Sequence, residues 1–293
     1  MSNIADNAVF IIAKKCAGLV ARYLAITAES ENIKDTKYRI KETLQIFETE
    51  ILTRWSPFCD HEAEKNFLSI SYNGGKDCQV LLILYLASLY NTASFHSSIN
   101  RLPAVYLKTY DNFSELTDFI ASSSSEYQLE LYETRNASME TSLMEYLLSL
   151  KLEHQEDTGI LLGTRATDAK HYKMTKIQPT DKNYPKFIRI QPILNWKLSN
   201  VWSFLIFSDE QHCQLYDLGY TSLGKPEETV PNPWLVDEYN NKNLKNNLVF
   251  DYEFSQCKNL CNVRRGNGYL PGWFLLEDDK ERDGRVHRLS KDS

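Results

Sequence analysis

Hydrophobic positions in the first part of the chain recur at helical spacing. Ile12, Cys16, Leu19, Tyr23 and Ile26 form one stripe, and Ile40, Leu44, Phe47 and Ile51 form another. Together they predict two amphipathic helices, over 4–28 and 36–55. Asp35 and Thr36 stand where the N-cap of the second would fall. Beyond Pro57 the period changes. Short apolar runs at Phe67 to Tyr72, Leu102 to Leu107, Leu129 to Tyr132, Gly159 to Leu162 and Phe187 to Ile190 alternate with helical stretches. Those stretches are Asp77 to Tyr90, Phe113 to Ser124 and Met139 to Leu150, with one more helix after residue 197 through Phe207. Strand and helix in alternation predict an α/β fold: a doubly wound, mostly parallel, Rossmann-like sheet with N-terminal helices and a C-terminal extension. The expected organisation is an N-terminal helical segment (1–60), a nucleotide-binding core (61–215) and an extension closing the substrate site (216–293), packed as one unit. The Asn/Lys-rich stretch at 240–247 reads as a polar loop.

Composition narrows the function. The chain of 293 residues carries 33 Lys and Arg against 39 Asp and Glu, a formal net charge of −6. A nucleic-acid coat protein needs the opposite balance, because it must neutralise phosphates. Nucleic acid is therefore not an expected partner, although a local basic pocket for a phosphorylated small molecule remains open. The apolar run from Ala8 to Ala13 ends at Lys14 and Lys15, too short for a membrane span or a secretory signal. Six scattered cysteines read as reduced cytosolic thiols, so a cytoplasmic location is expected. Cys257 and Cys261 lack a second ligand pair for zinc.

The strongest chemical signal is Ser71-Tyr72-Asn73-Gly74-Gly75-Lys76-Asp77-Cys78, where a strand feeds a glycine pair into a helix. Glycines let backbone approach an anion, and the free N–H groups of a helix N-terminus bind it. The spacing fits neither the Walker A loop nor the dinucleotide-binding glycine pattern. Gly163-Thr164-Arg165-Ala166-Thr167-Asp168 follows the strand Ile160-Leu161-Leu162. In a parallel sheet it faces the same crevice. Arg165 there reads as a phosphate ligand, since a guanidinium matches phosphate oxygens in pairs, and Thr167-Asp168 reads equally well as a helix start. Three further blocks stand out: Ile177 to Asp181 with Phe187 to Trp196, Leu215 to Gly224, and Leu270 to Arg285. Arg282 and Arg285 share a face if that tail is helical, while a solvated tail is the bland alternative.

The Ser71 to Asp77 segment resembles the pyrophosphatase loop of the N-type ATP pyrophosphatase superfamily, whose members cleave ATP between the α and β phosphates. All five blocks in this order resemble the eukaryotic, fungal-type FAD synthetases of the phosphosulfate-reductase-like type, which are FMN adenylyltransferases. The related reductases carry a cysteine after the glycine matching Gly224 and a Glu-Cys-Gly type motif. Here Lys225 follows Gly224 and no Glu-Cys-Gly occurs. The resemblance implies an adenine nucleotide α-hydrolase-like core and the reaction ATP + FMN → FAD + pyrophosphate, with Mg²⁺ on the phosphates. It implies ATP binding by Ser71, Asn73, Gly74, Gly75, Lys76, Asp77, Cys78 and Arg189. It implies FMN binding by Gly163, Thr164, Arg165, Asp168, Asp181, Trp196, Arg282 and Arg285. Asn73, Asp77, Arg165 and Asp168 would be the catalytic set, with Asp77 touching the metal, directly or through water, or equally capping the loop. Trp273 is a second stacking candidate beside Trp196, and each reads equally well as core. FAD-using flavoproteins would be the clients. A tRNA-modifying adenylating enzyme, or an inactive nucleotide-binding module, is the alternative.

Overall fold

A computed structural model describes residues 7–27, 30–57, 65–92, 100–135, 137–168, 174–236 and 268–286. Among these residues the chain builds one mixed sheet and six α-helices. The strands are β1 (Trp55–Ser56), β2 (Asn66–Ser71), β3 (Leu102–Tyr106), β4 (Leu129–Glu133), β5 (Gly159–Leu161), β6 (Ile177–Pro179) and β7 (Ile188–Ile190). The helices are α1 (Ala8–Leu24), α2 (Glu31–Ile46), α3 (Lys76–Tyr90), α4 (Ser114–Glu126), α5 (Met139–Ser149) and α6 (Leu198–Ser208).

The sheet runs β4-β3-β2-β5-β7-β6, with β1 paired beside β2. All pairings are parallel except β6 against β7. The chain first winds outward from β2 through β3 to β4, then returns to place β5 on the other side of β2. The order therefore reverses at β2, and a crevice opens beyond the carboxyl ends of β2, β3 and β5. This is the doubly wound, mostly parallel sheet that the alternation of elements implies.

Successive strand residues face opposite sides of the sheet. Leu68, Ile70, Ala104, Leu161 and Ile190 pack under α1, α2, α3, α4 and α6 in one core cluster, and Val105, Ile160 and Phe187 meet Leu143, Tyr146 and Leu147 of α5 in the other. The larger cluster runs from Val9 of α1 to Trp273 and Leu275 near the end of the described chain. Helix α3 lies at its centre, with every residue from Cys78 to Leu89 buried. Its sequence shows no polar stripe for that reason. Among the described residues no helix is long and apolar enough to cross a membrane.

Three details differ from the sequence reading. Helix α2 starts at Glu31, because the Ser30 hydroxyl caps it by accepting from Ile33 N–H (3.3 Å). Asp35 and Thr36 lie inside the helix, where the Thr36 hydroxyl donates back to Asn32 O (2.7 Å). Thr36 and Thr43 continue the buried stripe of Ile33 and Ile40, and counting only apolar residues hid the first turn. Strand β6, including Pro179, forms at the sheet edge, the position that tolerates a missing N–H. Finally, Thr167-Asp168 opens no α-helix; residues Ala166–Asp168 make a single 3₁₀ turn. The 240–247 stretch, Cys59, Cys257 and Cys261 lie outside the described residues.

Ile83 is fully buried at the middle of α3. Ile83→Ala should lower unfolding free energy by about 2–5 kcal/mol, measured by urea denaturation. A loss under 1 kcal/mol would mean that α3 is not the central packing element.

Candidate active site

The crevice holds a cavity of about 450 Å³, lined from the ends of β2, β3 and β5 and from the C-terminal extension. Ser71 ends β2. Tyr72 turns back into the core, where its hydroxyl donates to Ser123 Oγ (2.8 Å). Asn73 folds the loop by accepting from Gly75 N–H (3.0 Å) and from the Cys78 thiol (3.0 Å) on Oδ1. Its amide NH₂ is thereby left for the cavity that Asn73 lines. Gly74 has φ of 70°, and a Cβ there would stand 2.7 Å from Ile120 Cγ1 of α4, so both conformation and space call for glycine. Gly163, leaving β5, comes against the first turn of α3. A Cβ there would lie 2.8 Å from Cys78 N, so the two loops share one wall.

Beneath this wall sits a buried charge cluster. Arg165 has no exposed surface. Its Nη1 donates to Asp278 Oδ1 (2.7 Å) and its Nη2 to Glu281 Oε2. Its Nε lies 2.8 Å from Asp77 Oδ1, a charge contact without hydrogen-bond alignment. Lys76, 3% exposed, donates from Nζ to Asp77 Oδ2 (3.1 Å) and to Glu281 Oε1. Asp168 accepts from Arg165 N–H through Oδ2 (2.9 Å) and from Arg282 Nη2 through Oδ1 (3.1 Å). Burial disfavours the Asp77 carboxylate, but Arg165 and Lys76 outweigh it and hold the carboxyl below its ordinary range. Burial equally opposes the Lys76 ammonium. Asp77 and Glu281 outweigh that and raise it above an ordinary lysine.

The structure brings Ser71, Asn73, Gly75, Lys76, Asp77, Cys78, Gly163, Thr164, Asp168, Arg282 and Arg285 to the cavity wall. The two tail arginines reach it from a turn rather than a helix, since only Asp278–Lys280 is a short 3₁₀ turn. Six other candidate residues do not line the cavity: Gly74, which packs against α4, and Arg165, Trp196, Trp273, Arg189 and Asp181. Arg165 does not line the cavity and offers no free edge to phosphate, because carboxylates occupy its guanidinium. Trp196 is core: it is 2% exposed, with Nε1 donating to Thr43 Oγ1 (3.0 Å). Trp273 is core too, edge-on to Trp202 and His212. Arg189 and Asp181 pair with each other (3.2 Å) beside the β6–β7 edge and do not line this cavity.

Sequence reasoning passed over Tyr106, which ends β3, and Leu107, Thr109, Tyr110 and Asn112, which follow it; all line the cavity. The switch-point rule itself carried the signal, because β3 neighbours β2 and its carboxyl end opens into the same crevice. It also passed over Tyr216, Asp278 and Glu281 as members of the site. The charged tail looked solvated, and only tertiary folding reveals Glu281 as 4% exposed.

The phosphoadenosine phosphosulfate reductase domain family matches residues 67–231. The flavin adenine dinucleotide synthase of Saccharomyces cerevisiae is 34% identical, over 94% of this chain and 97% of its own. A crystal structure of yeast FAD synthetase in complex with FAD superposes with a TM-score of 0.81 at 34% identity, over 95% of this chain and 99% of that one. Candida glabrata FMN adenylyltransferase in complex with FAD and inorganic pyrophosphate gives 0.81 at 35% identity, over 94% and 99%.

Arg165→Met should cost about 3–5 kcal/mol at pH 7, the range for breaking a buried ion pair. The sign of its pH dependence follows from Asp77. Its folded value lies below the unfolded one of about 3.9, so in the wild type its contribution is complete above that pH and fades as pH falls through the folded value. Without the guanidinium, burial pushes the Asp77 carboxyl up, and protonation relieves it. The deficit of the variant in urea denaturation should therefore shrink between pH 7 and pH 4.5. An equal deficit at both would show that packing, not charge, sets it.

Proposed function

We propose that this chain, which belongs to the phosphoadenosine phosphosulfate reductase domain family and within it to the FAD synthases, transfers AMP from ATP to the phosphate of FMN, releasing FAD and pyrophosphate. The observation that carries this reading is the meeting of the Asn73–Cys78 loop, the Gly163–Asp168 turn and the tail arginines around one cavity. It is supported by likeness along nearly the whole chain to an enzyme seen with FAD and pyrophosphate.

A reductase needs a reactive thiol. Cys78 is the cysteine that lines this cavity among the described residues. Burial pushes its thiol up to about 12, where the thiolate is scarce at neutral pH. Its hydrogen bonds to Asn73 Oδ1 and Gly75 O (both 3.0 Å) make it a brace of the loop.

In adenylyl transfer, an FMN phosphate oxygen attacks the α-phosphorus in line with the departing pyrophosphate. The attacking monoester is largely dianionic at pH 7, its second pKa being about 6, so no strong base is required. Catalysis rests on placing two anions together and spreading their charge. Asn73 is positioned to donate to the α-phosphate. Gly75 and Lys76 face the pyrophosphate portion, and Gly74 supplies the turn that aims them. Arg282 and Arg285 neutralise phosphate on the tail side, while Thr164 and Asp168 face FMN. Arg165 works one step back, fixing Asp77 and Asp168.

Mg²⁺ suits this reading as a companion of the ATP phosphates, where it keeps several waters. Among the described residues no group of three or more His, Cys, Asp or Glu is disposed to hold a metal. Both oxygens of Asp77 lie against cations, so Asp77 does not fit as its direct ligand. The buried thiols Cys16, Cys78 and Cys213 suit the reducing cytoplasm, where flavoprotein clients would take up the product.

The test is direct. Incubated with ATP, MgCl₂ and FMN, the protein should yield FAD and pyrophosphate in equal amounts, followed by chromatography. Riboflavin lacks the attacking phosphate and should not react. Turnover of riboflavin, or none of FMN, would overturn the assignment.

Arg285 supplies a second check. Its guanidinium donates to Ser222 Oγ (3.0 and 3.2 Å) and to Leu223 O at the cavity wall. A charge-assisted hydrogen bond is worth about 1.5–3 kcal/mol. Arg285→Ala should therefore lower kcat/KM for FMN at least about tenfold. An unchanged value would place Arg285 outside the reaction.

A further inference from the structure

The Tyr216 hydroxyl lies at the cavity wall, bound to the first turn of α3. Tyr216 belongs to the short 3₁₀ turn Gln214–Leu218 and is 2% exposed. Its ring is held edge-on by Trp202 at 5.1 Å between centroids, and Lys76 Nζ lies 5.8 Å from the ring centre. Its oxygen accepts from Lys76 N–H (3.2 Å), the first helical residue of α3, and the residue lines the cavity beside Gly75. That bond uses an oxygen lone pair and leaves the phenolic proton unspent. Among the described residues no acceptor takes it. A buried hydroxyl with an unused proton is costly, and the open direction is the cavity. Burial raises the phenol well above its ordinary value, so the proton stays in place across the working pH range.

The geometry points to Tyr216 as a catalytic residue that donates a hydrogen bond to the pyrophosphate leaving group. This rests on the adenylyl-transfer reading. In the reaction a bond forms between the FMN phosphate oxygen and the α-phosphorus. The bond from that phosphorus to the α,β-bridging oxygen breaks, and its electron pair leaves with pyrophosphate. No proton moves to or from Tyr216. Its O–H and the Lys76 N–H behind it form a relay of dipoles aimed at the anion, and such a bond strengthens as negative charge collects on the departing oxygens. The phenol differs from the arginines and lysine around it in being neutral. It stabilises charge in the leaving group without needing a carboxylate to balance it when the site is empty.

Tyr216→Phe keeps the ring and deletes the donor. Against the wild type, it should weaken binding of inorganic pyrophosphate about tenfold by titration calorimetry and lower kcat about tenfold to a hundredfold. The kcat deficit should be larger with β,γ-methylene-ATP, whose leaving group is more basic, than with β,γ-difluoromethylene-ATP. Packing alone would not follow leaving-group basicity. Equal pyrophosphate affinity and equal kcat in both proteins would overturn the inference. Wild-type protein that makes no FAD would instead overturn the parent reading, and the pyrophosphate titration would still report on Tyr216. A fluorinated tyrosine at 216 covers the case of a misfolded phenylalanine variant. It keeps the oxygen for Lys76 N–H but ionises at lower pH. Loss of FAD synthesis as its phenol ionises supports donation to the leaving group; a rate indifferent to that ionisation refutes it.

Discussion

A guanidinium with no contact to water must be neutralised where it stands, and in this protein that requirement organises the site. Removing Arg165 from solvent carries a desolvation cost of several kcal/mol, offset only by close, well-directed anions. These come from different parts of the chain: Asp77 from the first turn of α3, Asp278 and Glu281 from the C-terminal extension, and Asp168 three residues ahead of Arg165 itself. Each has a second task. Asp278 accepts from Leu198 N–H at the start of α6 (2.8 Å), Asp168 holds Arg282, and Glu281 bridges to Lys76. The Glu281 carbonyl also takes the Thr221 hydroxyl (2.6 Å). One buried charge thus sets the relative positions of the phosphate loop, the sheet end, α6 and the tail.

The resulting cavity is not the basic pocket that a phosphate substrate suggests at first sight. Lys76 and Arg282 face it already paired to carboxylates. What the pairing provides is preorganisation: cationic groups held at fixed points with little freedom to lose. Neutral donors, among them the Asn73 amide, then matter more than a count of positive charges would indicate.

Much of this was legible in the sequence because the relevant signals are local. The period change at residue 67 marks the sheet, the Gly74-Gly75 pair marks the turn into α3, and the Gly163–Asp168 segment follows an apolar run in the way a crevice loop does. Other features depend on partners distant along the chain. Trp196 reads as a stacking residue or as core alike until Thr43 is seen to take its N–H. Arg189 and Asp181 read as ligands until the β6–β7 pairing brings them together. Arg165 reads as a phosphate ligand until the acids of 278–281 are seen to fold back beneath it. Ser30 is hard to read as a cap for the opposite reason: two buried threonines disguise where the helix begins.

The span of these contacts bears on how the molecule assembles. Lys76 and Glu281 are 205 positions apart, and Arg165 and Glu281 are 116 apart. The entropy of closing such loops must be spent before the contact returns anything, which makes long-range pairings slow to form. The sheet and α3 can collapse on nearer contacts first. The ion cluster should then be among the last features to lock, so that a chain can acquire its secondary structure and most of its core while still lacking substrate affinity. Recovery of binding after denaturation would lag recovery of helix, and the interval between them would measure the docking of the tail.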